Sequence, residues 1–197
     1  MGSIFSKAYD RVMKPVEQRR FGKIRKKLVS NQQGTVLEIG SGTGANFPYY
    51  KNAEKVIAIE PDKSMRELSE KKRSEAAVPI EIIDAPAERL RFDDNTFDVV
   101  VGTLVLCSVT DLDQALQEIK RVVKYDATVL FLEHVRLDQP IVGRLQDVVT
   151  PIWKRMCDGC HLNRNTLEII KQNGFRIEQV DEHFKGLFLQ IRARNEK

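Results

Sequence analysis

The stretch Val36-Leu37-Glu38-Ile39-Gly40-Ser41-Gly42-Thr43-Gly44 decides how the rest of this chain is read. A short apolar run carrying one acid gives way to glycine at three alternate positions. The pattern predicts a buried strand that stops at a turn whose backbone approaches a ligand closely. Glycine suits that task because it has no Cβ to block the approach and accepts positive φ. Residues 43–52 are expected to form a helix whose free N–H groups face the loop, an arrangement on which nucleotide-type ligands with an anionic group dock.

The glycines alone leave two ligands open. Gly40-x-Gly42-x-x-Ala45 also fits the dinucleotide fingerprint, and Glu60 lies twenty positions after Gly40, where an acid would meet a ribose hydroxyl. Three features tilt the reading away from a dinucleotide. Glu38 stands just before the first glycine, where a carboxylate would favour a cationic ligand over a pyrophosphate. Phe97-Asp98-Val99-Val100-Val101 announces another buried strand in mid-chain, and 197 residues leave no room for a separate dehydrogenase substrate domain.

Val36–Gly44, Val56-Ile57-Ala58-Ile59-Glu60-Pro61-Asp62, Ala87-Glu88-Arg89-Leu90-Arg91-Phe92 and Phe97–Val101 resemble, in order and spacing, the class I S-adenosylmethionine-dependent methyltransferases. The resemblance runs from about Gly34 to Val135. Three further stretches are similar to a narrower group: Thr103–Val109, Phe131-Leu132-Glu133-His134-Val135 and Gly159-Cys160-His161-Leu162-Asn163-Arg164. That group holds small bacterial methyltransferases and animal thiol methyltransferase-like proteins, and is close to phospholipid and quinone methyltransferases. The resemblance implies an α/β fold, a Rossmann-like doubly wound seven-stranded sheet that is mostly parallel with the last strand antiparallel. It also implies S-adenosyl-L-methionine as cofactor.

Periodicity agrees with that architecture. Strands are expected at about 35–39, 55–60, 79–84, 97–104, 127–135, 175–182 and 186–193, and helices near 43–52, 62–76, 111–124 and 162–173. The last two strands are joined too tightly for a crossover helix and should pair antiparallel. A single domain over 1–197 is expected. It comprises an N-terminal helical cap (1–29), a cofactor-binding core (34–135), a substrate-side insertion (136–161) and a C-terminal helix with two strands (162–197). Residues 136–161 hold Pro140, Gly143, Pro151 and Gly159 and read as the least regular stretch.

Net charge is +4, with nine Lys/Arg and two Asp/Glu in residues 1–27. About +7 therefore lies there and about −3 on the remainder. Ile4, Phe5, Ala8, Tyr9, Val12, Met13 and Val16 recur at helical spacing beneath this basic face. The segment is read as a solvated cap, with peripheral membrane contact through the basic helix as the sharper alternative. No base-reading module is visible, so nucleic acid is not an expected partner. No secretory signal or membrane-spanning run appears, so a cytoplasmic location is expected, with the three cysteines as thiols. Nothing in the sequence sets an oligomeric state.

The candidate cofactor-binding residues are Glu38, Gly40, Ser41, Gly42 and Gly44 for the methionine end and Glu60 for the ribose. Pro61, Met65, the backbone of Ala87 and Glu88 are expected around the adenine. Many relatives carry Asp directly before the Ala-Glu pair; here that position is Pro86, so backbone at Ala87 is favoured over Asp84. Thr103 and Leu104 should end the fourth strand near the transferred methyl group. Glu133 and His134, at the end of the fifth, are the catalytic candidates as a base or an acceptor-orienting pair.

Cys157-Asp158-Gly159-Cys160-His161 matches the haem-attachment pattern, but nothing else suggests an electron carrier. Zinc would lack a fourth ligand there, and no metal is expected. The chain is therefore read as a methyltransferase acting on a small-molecule or lipid-like acceptor, a thiol, an amine or a ring carbon. The alternatives are a non-catalytic cofactor-binding regulatory module and an NAD-binding oxidoreductase.

Overall fold

The apolar runs rich in valine and isoleucine become strands in the computed structural model, which describes residues 21–156 and 159–196. Seven strands form one sheet: β1 (Thr35–Ile39), β2 (Lys55–Ile59), β3 (Ile80–Ile83), β4 (Phe97–Thr103), β5 (Val123–His134), β6 (Phe175–His183) and β7 (Phe188–Asn195). Their order is β3-β2-β1-β4-β5-β7-β6. The described residues group into two compact units, 21–86 with 97–101 and 87–96 with 102–156 and 159–196.

In the first unit, β1, β2 and β3 run parallel, with Val36 opposite Val56 and Val56 opposite Ile80. Val36, Leu37, Ile39, Val56, Ala58 and Ile59 are all buried. Burial on both faces is why these strands read as continuous apolar runs rather than alternating ones. Helix α1 (Gly22–Val29) buries Leu28 and Val29, and α2 (Lys63–Ser74) starts at Asp62, whose carboxylate accepts from Met65 N. That side-chain bond satisfies one of the free donors of the first helical turn.

The helix expected over 43–52 is replaced by a turn and a three-residue 3₁₀ helix, Phe47–Tyr49. Successive i→i+3 bonds, Gly44 N to Ser41 O at 2.9 Å, Phe47 N to Gly44 O at 3.2 Å and Tyr49 N to Asn46 O at 2.9 Å, wind the segment too tightly for an α-helix. Gly44, at φ +72°, interrupts the helical backbone at its start, and Pro48 disfavours helical backbone at Phe47.

The second unit pairs β7 antiparallel with both β5 and β6, as the tight final connection requires. Helix α3 (Leu112–Val122) buries Leu112, Ala115, Leu116, Ile119 and Val122, one face at helical spacing. β5 begins at Val123, earlier than expected, because α3 passes into it without a loop. The Asn195 carboxamide donates to the carbonyls of Lys120, Val123 and Lys124 at that junction. Helix α5 (Thr166–Gln172) is shorter than the 162–173 expected.

Residues 140–156, expected to be irregular, form the 17-residue helix α4 (Pro140–Met156). Pro140 occupies the first helical position, where no N–H is needed. Pro151 lies inside and is tolerated. The helix is built against the usual sense: Gly143, Gln146 and Thr150 are buried, while Ile141, Leu145, Val148 and Ile152 are exposed. Gln146 makes the attachment, donating to the carbonyls of Val135 and Leu162 and accepting from Leu137 N. Among the described residues, no helix is long and apolar enough to cross a membrane. The expected basic helix over residues 1–16 lies outside the described residues.

Candidate functional site

The glycine loop of the first unit is built by β1 ending where β2 ends. Ser41 N donates to Ile59 O at 3.0 Å, and Gly42 N donates to Oε2 of Glu60 at 2.9 Å. Gly40, Gly42 and Gly44 all have positive φ, at 59°, 54° and 72°. A Cβ added at Gly42 would meet no atom within 4 Å, so that glycine borders open space. At Gly44 it would strike the Phe47 ring at 2.6 Å. Gly42 therefore keeps a surface clear, whereas Gly44 serves packing.

Glu60 is buried, and its two oxygens accept from the amides of Gly42 and Asp62, each at 2.9 Å. Burial raises its pKa, and those two amides oppose the rise. Each carboxylate oxygen retains a further acceptor direction. Ser41 Oγ is buried with no hydrogen-bond partner among the described residues. Pro61 is exposed beside Glu60, and Met65 is half-buried in the first turn of α2. Arg66 donates to the Glu60 carbonyl at 2.6 Å and pairs with Asp84 at 2.7 Å, so Asp84 is engaged.

Glu38 lies near the end of β1 with protein partners on both oxygens: Oε1 accepts from Asn46 Nδ2 at 3.1 Å and Oε2 from the Tyr50 hydroxyl at 2.8 Å. Arg25 donates to Asn46 Oδ1 at 3.0 Å and extends the network. Burial pushes the Glu38 pKa up to about 7, against the bonds from Tyr50 and Asn46 and the charge of Arg25. The acid buttresses the loop from beneath.

In the second unit, Thr103 is buried at the end of β4, and Leu104 follows at φ +57°, with its N–H on Leu132 O at 2.7 Å. A left-handed leucine costs roughly 1–2 kcal/mol and marks a constrained strand end. Ala87 is buried. Glu88 accepts from the amides of Thr110 at 3.0 Å and Asp111 at 3.3 Å, a structural task at the start of α3.

Glu133 and His134 differ in what they touch. Glu133 is fully buried, and its Oε1 accepts from Val105 N at 3.0 Å and Leu106 N at 3.1 Å. Burial raises its pKa to about 7 despite these bonds. Oε1 shapes the loop after β4, while Oε2 is buried with no hydrogen-bond partner among the described residues. Nε2 of His134 lies 2.9 Å from Cys160 Sγ, and Cys160 Sγ lies 3.6 Å from Cys107 Sγ. A hydrogen bond with Cys107 lowers the pKa of Cys160; burial opposes this and the imidazole assists. The same contact and burial push Cys107 up.

Segment 159–164 is strapped to the loop after β4. His161 N donates to Cys107 O at 2.9 Å, and Arg164 donates to the carbonyls of Leu106 and Val109. Sequence reasoning placed Cys160 near the acceptor through the resemblance but missed Cys107. The only available signal was a cysteine between two predicted strand-end features, and no spacing rule links it to positions 134 and 160.

The strand order, the glycine loop closed by Glu60 and the acid-bearing end of β5 define a class I S-adenosylmethionine-dependent methyltransferase fold. The comparisons agree, and the chain belongs to that methyltransferase family. A family profile described as a methyltransferase domain matches residues 37–131. The rat (Rattus norvegicus) thiol S-methyltransferase TMT1B is 35% identical over 185 residues, covering 92% of this chain and 75% of that protein. The ubiquinone/menaquinone biosynthesis C-methyltransferase UbiE of Hahella chejuensis is 34% identical over 120 residues, covering 58% of this chain and 48% of that protein. An S-adenosylmethionine-dependent methyltransferase from Thermotoga maritima superposes with TM-score 0.72 at 21% identity, covering 98% of this chain and 97% of that one. The chain is an S-adenosylmethionine-dependent methyltransferase, which sets aside the dinucleotide reading. The open face of Gly42, the orphaned Ser41 hydroxyl and the spare acceptor directions of Glu60 fit that cofactor.

Proposed function

We propose that the chain transfers the methyl group to the sulfur of a small, lipophilic thiol. S-adenosylmethionine supplies a methyl group already activated on a sulfonium, so the chain's own residues need only bind, orient and keep water away. Ser41 and the backbone at Gly40 and Gly42 would hold the polar methionine end. Glu60 would accept from the ribose hydroxyls, and Pro61 and Met65 would offer apolar surface to the base.

One observation carries the choice of thiol: the base candidates at the end of β5 offer no exposed acceptor atom. His134 Nε2 faces Cys160, Glu133 Oε1 holds two backbone amides, and His134 Nδ1 and Glu133 Oε2 are buried without a hydrogen-bond partner among the described residues. A thiol at its ordinary pKa is a few per cent thiolate at neutral pH and reacts without a dedicated base. A protonated amine must first lose a proton to one, and a hydroquinone needs a hydroxyl deprotonated before its ring carbon attacks and the ring C–H proton removed afterwards. The relative named as a thiol S-methyltransferase also matches far more of this chain than the quinone C-methyltransferase does. Purified protein would be incubated with labelled S-adenosylmethionine and an alkyl thiol, a primary amine or a hydroquinone. Methyl thioether as the dominant product is expected, and methylation of the amine or hydroquinone alone would overturn the reading.

A further inference from the structure

Three soft or borderline donors from distant parts of the second unit converge on one point. Cys107 comes from the loop after β4, His134 ends β5, and Cys160 follows α4. Their donor atoms all lie within 4.8 Å of one another. The two sulfurs are 3.6 Å apart and His134 Nε2 is 2.9 Å from Cys160 Sγ. A tetrahedral zinc ion, with bonds of about 2.3 Å to sulfur and about 2.0–2.1 Å to nitrogen, spaces its ligand atoms roughly 3.4–3.8 Å apart. The sulfurs are already at that spacing, and the imidazole would shift by roughly half to one ångström to match it.

The backbone around these donors is held in place before any ion arrives. Glu133 fixes the amides of Val105 and Leu106 on one side of Cys107. Arg164 fixes the carbonyls of Leu106 and Val109, and His161 N fixes that of Cys107 itself. Two thiolates and one imidazole form a donor set that selects zinc over magnesium or calcium. Three protein ligands, not four, is the arrangement that leaves a position for a substrate atom.

We propose that Cys107 Sγ, His134 Nε2 and Cys160 Sγ form a binding site for a divalent cation of the zinc class, with the fourth position open to the sulfur of the acceptor. The open position rests on the thiol reading above; the three-ligand site does not. An acceptor thiol enters that position as its thiolate and releases one proton to solvent. This ligand set differs from the Cys157-x-x-Cys160-His161 pattern in the sequence, because Cys107 and His134 replace Cys157 and His161.

Cobalt(II) is the probe. Protein stripped with a chelator and titrated with cobalt should develop thiolate-to-metal charge-transfer absorption that saturates near one equivalent. Cys107→Ser and Cys160→Ser should each remove about half of that absorption, and the double variant all of it. His134→Asn should keep the absorption and weaken the affinity by roughly ten- to a hundredfold. Cys157→Ser should leave the titration unchanged. No charge-transfer absorption in the parent protein, or a band that survives in the double variant, would overturn the site. The same preparation is assayed for S-adenosylhomocysteine binding and thiol methylation. Thiol turnover by a protein that binds no cobalt removes the metal site and leaves the acceptor reading standing. Cobalt binding without thiol turnover supports the site and overturns the open-position role.

Discussion

His134 Nε2 lies 2.9 Å from Cys160 Sγ, although 26 positions separate the two residues in sequence. The contact joins one ring nitrogen of the β5 end to a pair of thiols. On the proposed thiol reading, the acceptor's own acidity does what a base would otherwise do.

Glu38 makes stability depend on pH in an unusual direction. Burial raises its folded-state pKa to about 7 from the ordinary 4.5. Between those values the folded chain holds more protons than the unfolded one, so stability falls as pH rises through the interval. The full effect is on the order of 3 kcal/mol. Glu38→Gln, which is uncharged throughout, should flatten that slope, and urea midpoints for both proteins at pH 5 and pH 8 check it. Parallel pH profiles would contradict the prediction.

Glu60→Gln replaces one acceptor oxygen with an amide group that must face the N–H of Gly42 or Asp62. S-adenosylhomocysteine should bind at least about tenfold more weakly, a loss of roughly 1.4 kcal/mol or more. Isothermal calorimetry measures this directly. An unchanged dissociation constant would remove Glu60 from the ligand's contacts.

Gly42→Ala and Gly44→Ala should separate binding from folding. Both residues have positive φ, so each variant bears roughly 1–2 kcal/mol of backbone strain. At Gly44 the new methyl also strikes the buried Phe47 ring, for a total cost of about 2–4 kcal/mol. At Gly42 it meets open space, so stability suffers less while S-adenosylhomocysteine affinity falls further. Thermal unfolding with and without ligand would show the crossover, and equal losses in both variants would count against it.

Helix α4 predicts an inverted sensitivity. Leu145→Gln and Val148→Gln alter exposed positions and should change stability by less than about 0.5 kcal/mol. Gln146→Leu leaves the carbonyls of Val135 and Leu162 and the Leu137 amide without their partner, and should cost about 1–3 kcal/mol. Denaturant titration of the three variants decides the order.

The strands were legible because their residues are buried on both faces and so spell unbroken apolar runs, as in Val56–Ile59 and Val99–Val101. The glycine loop and Glu60 were legible because positive φ and close approach demand particular residue types. Helix α4 was not, since its inward positions are Gly143, Gln146 and Thr150 and its prolines read as breaks. The 3₁₀ turn at Phe47–Tyr49 was missed because a helix start and a run of tight turns share their first hydrogen bonds. Glu38 was visible as an acid, but only three dimensions show Asn46 and Tyr50 closing over it. The cysteine cluster depends on contacts between segments 26 and 53 positions apart, where no periodicity operates.

A single guanidinium, that of Arg164, grips two carbonyls of the loop after β4 while its own segment carries Cys160. Residues 104–109 and 159–164 are consequently coupled: a swap in either alone leaves the other clamped to a shape it no longer matches. Efforts to retune acceptor preference by library selection would do better to draw these twelve positions as paired cassettes than to randomise one loop at a time.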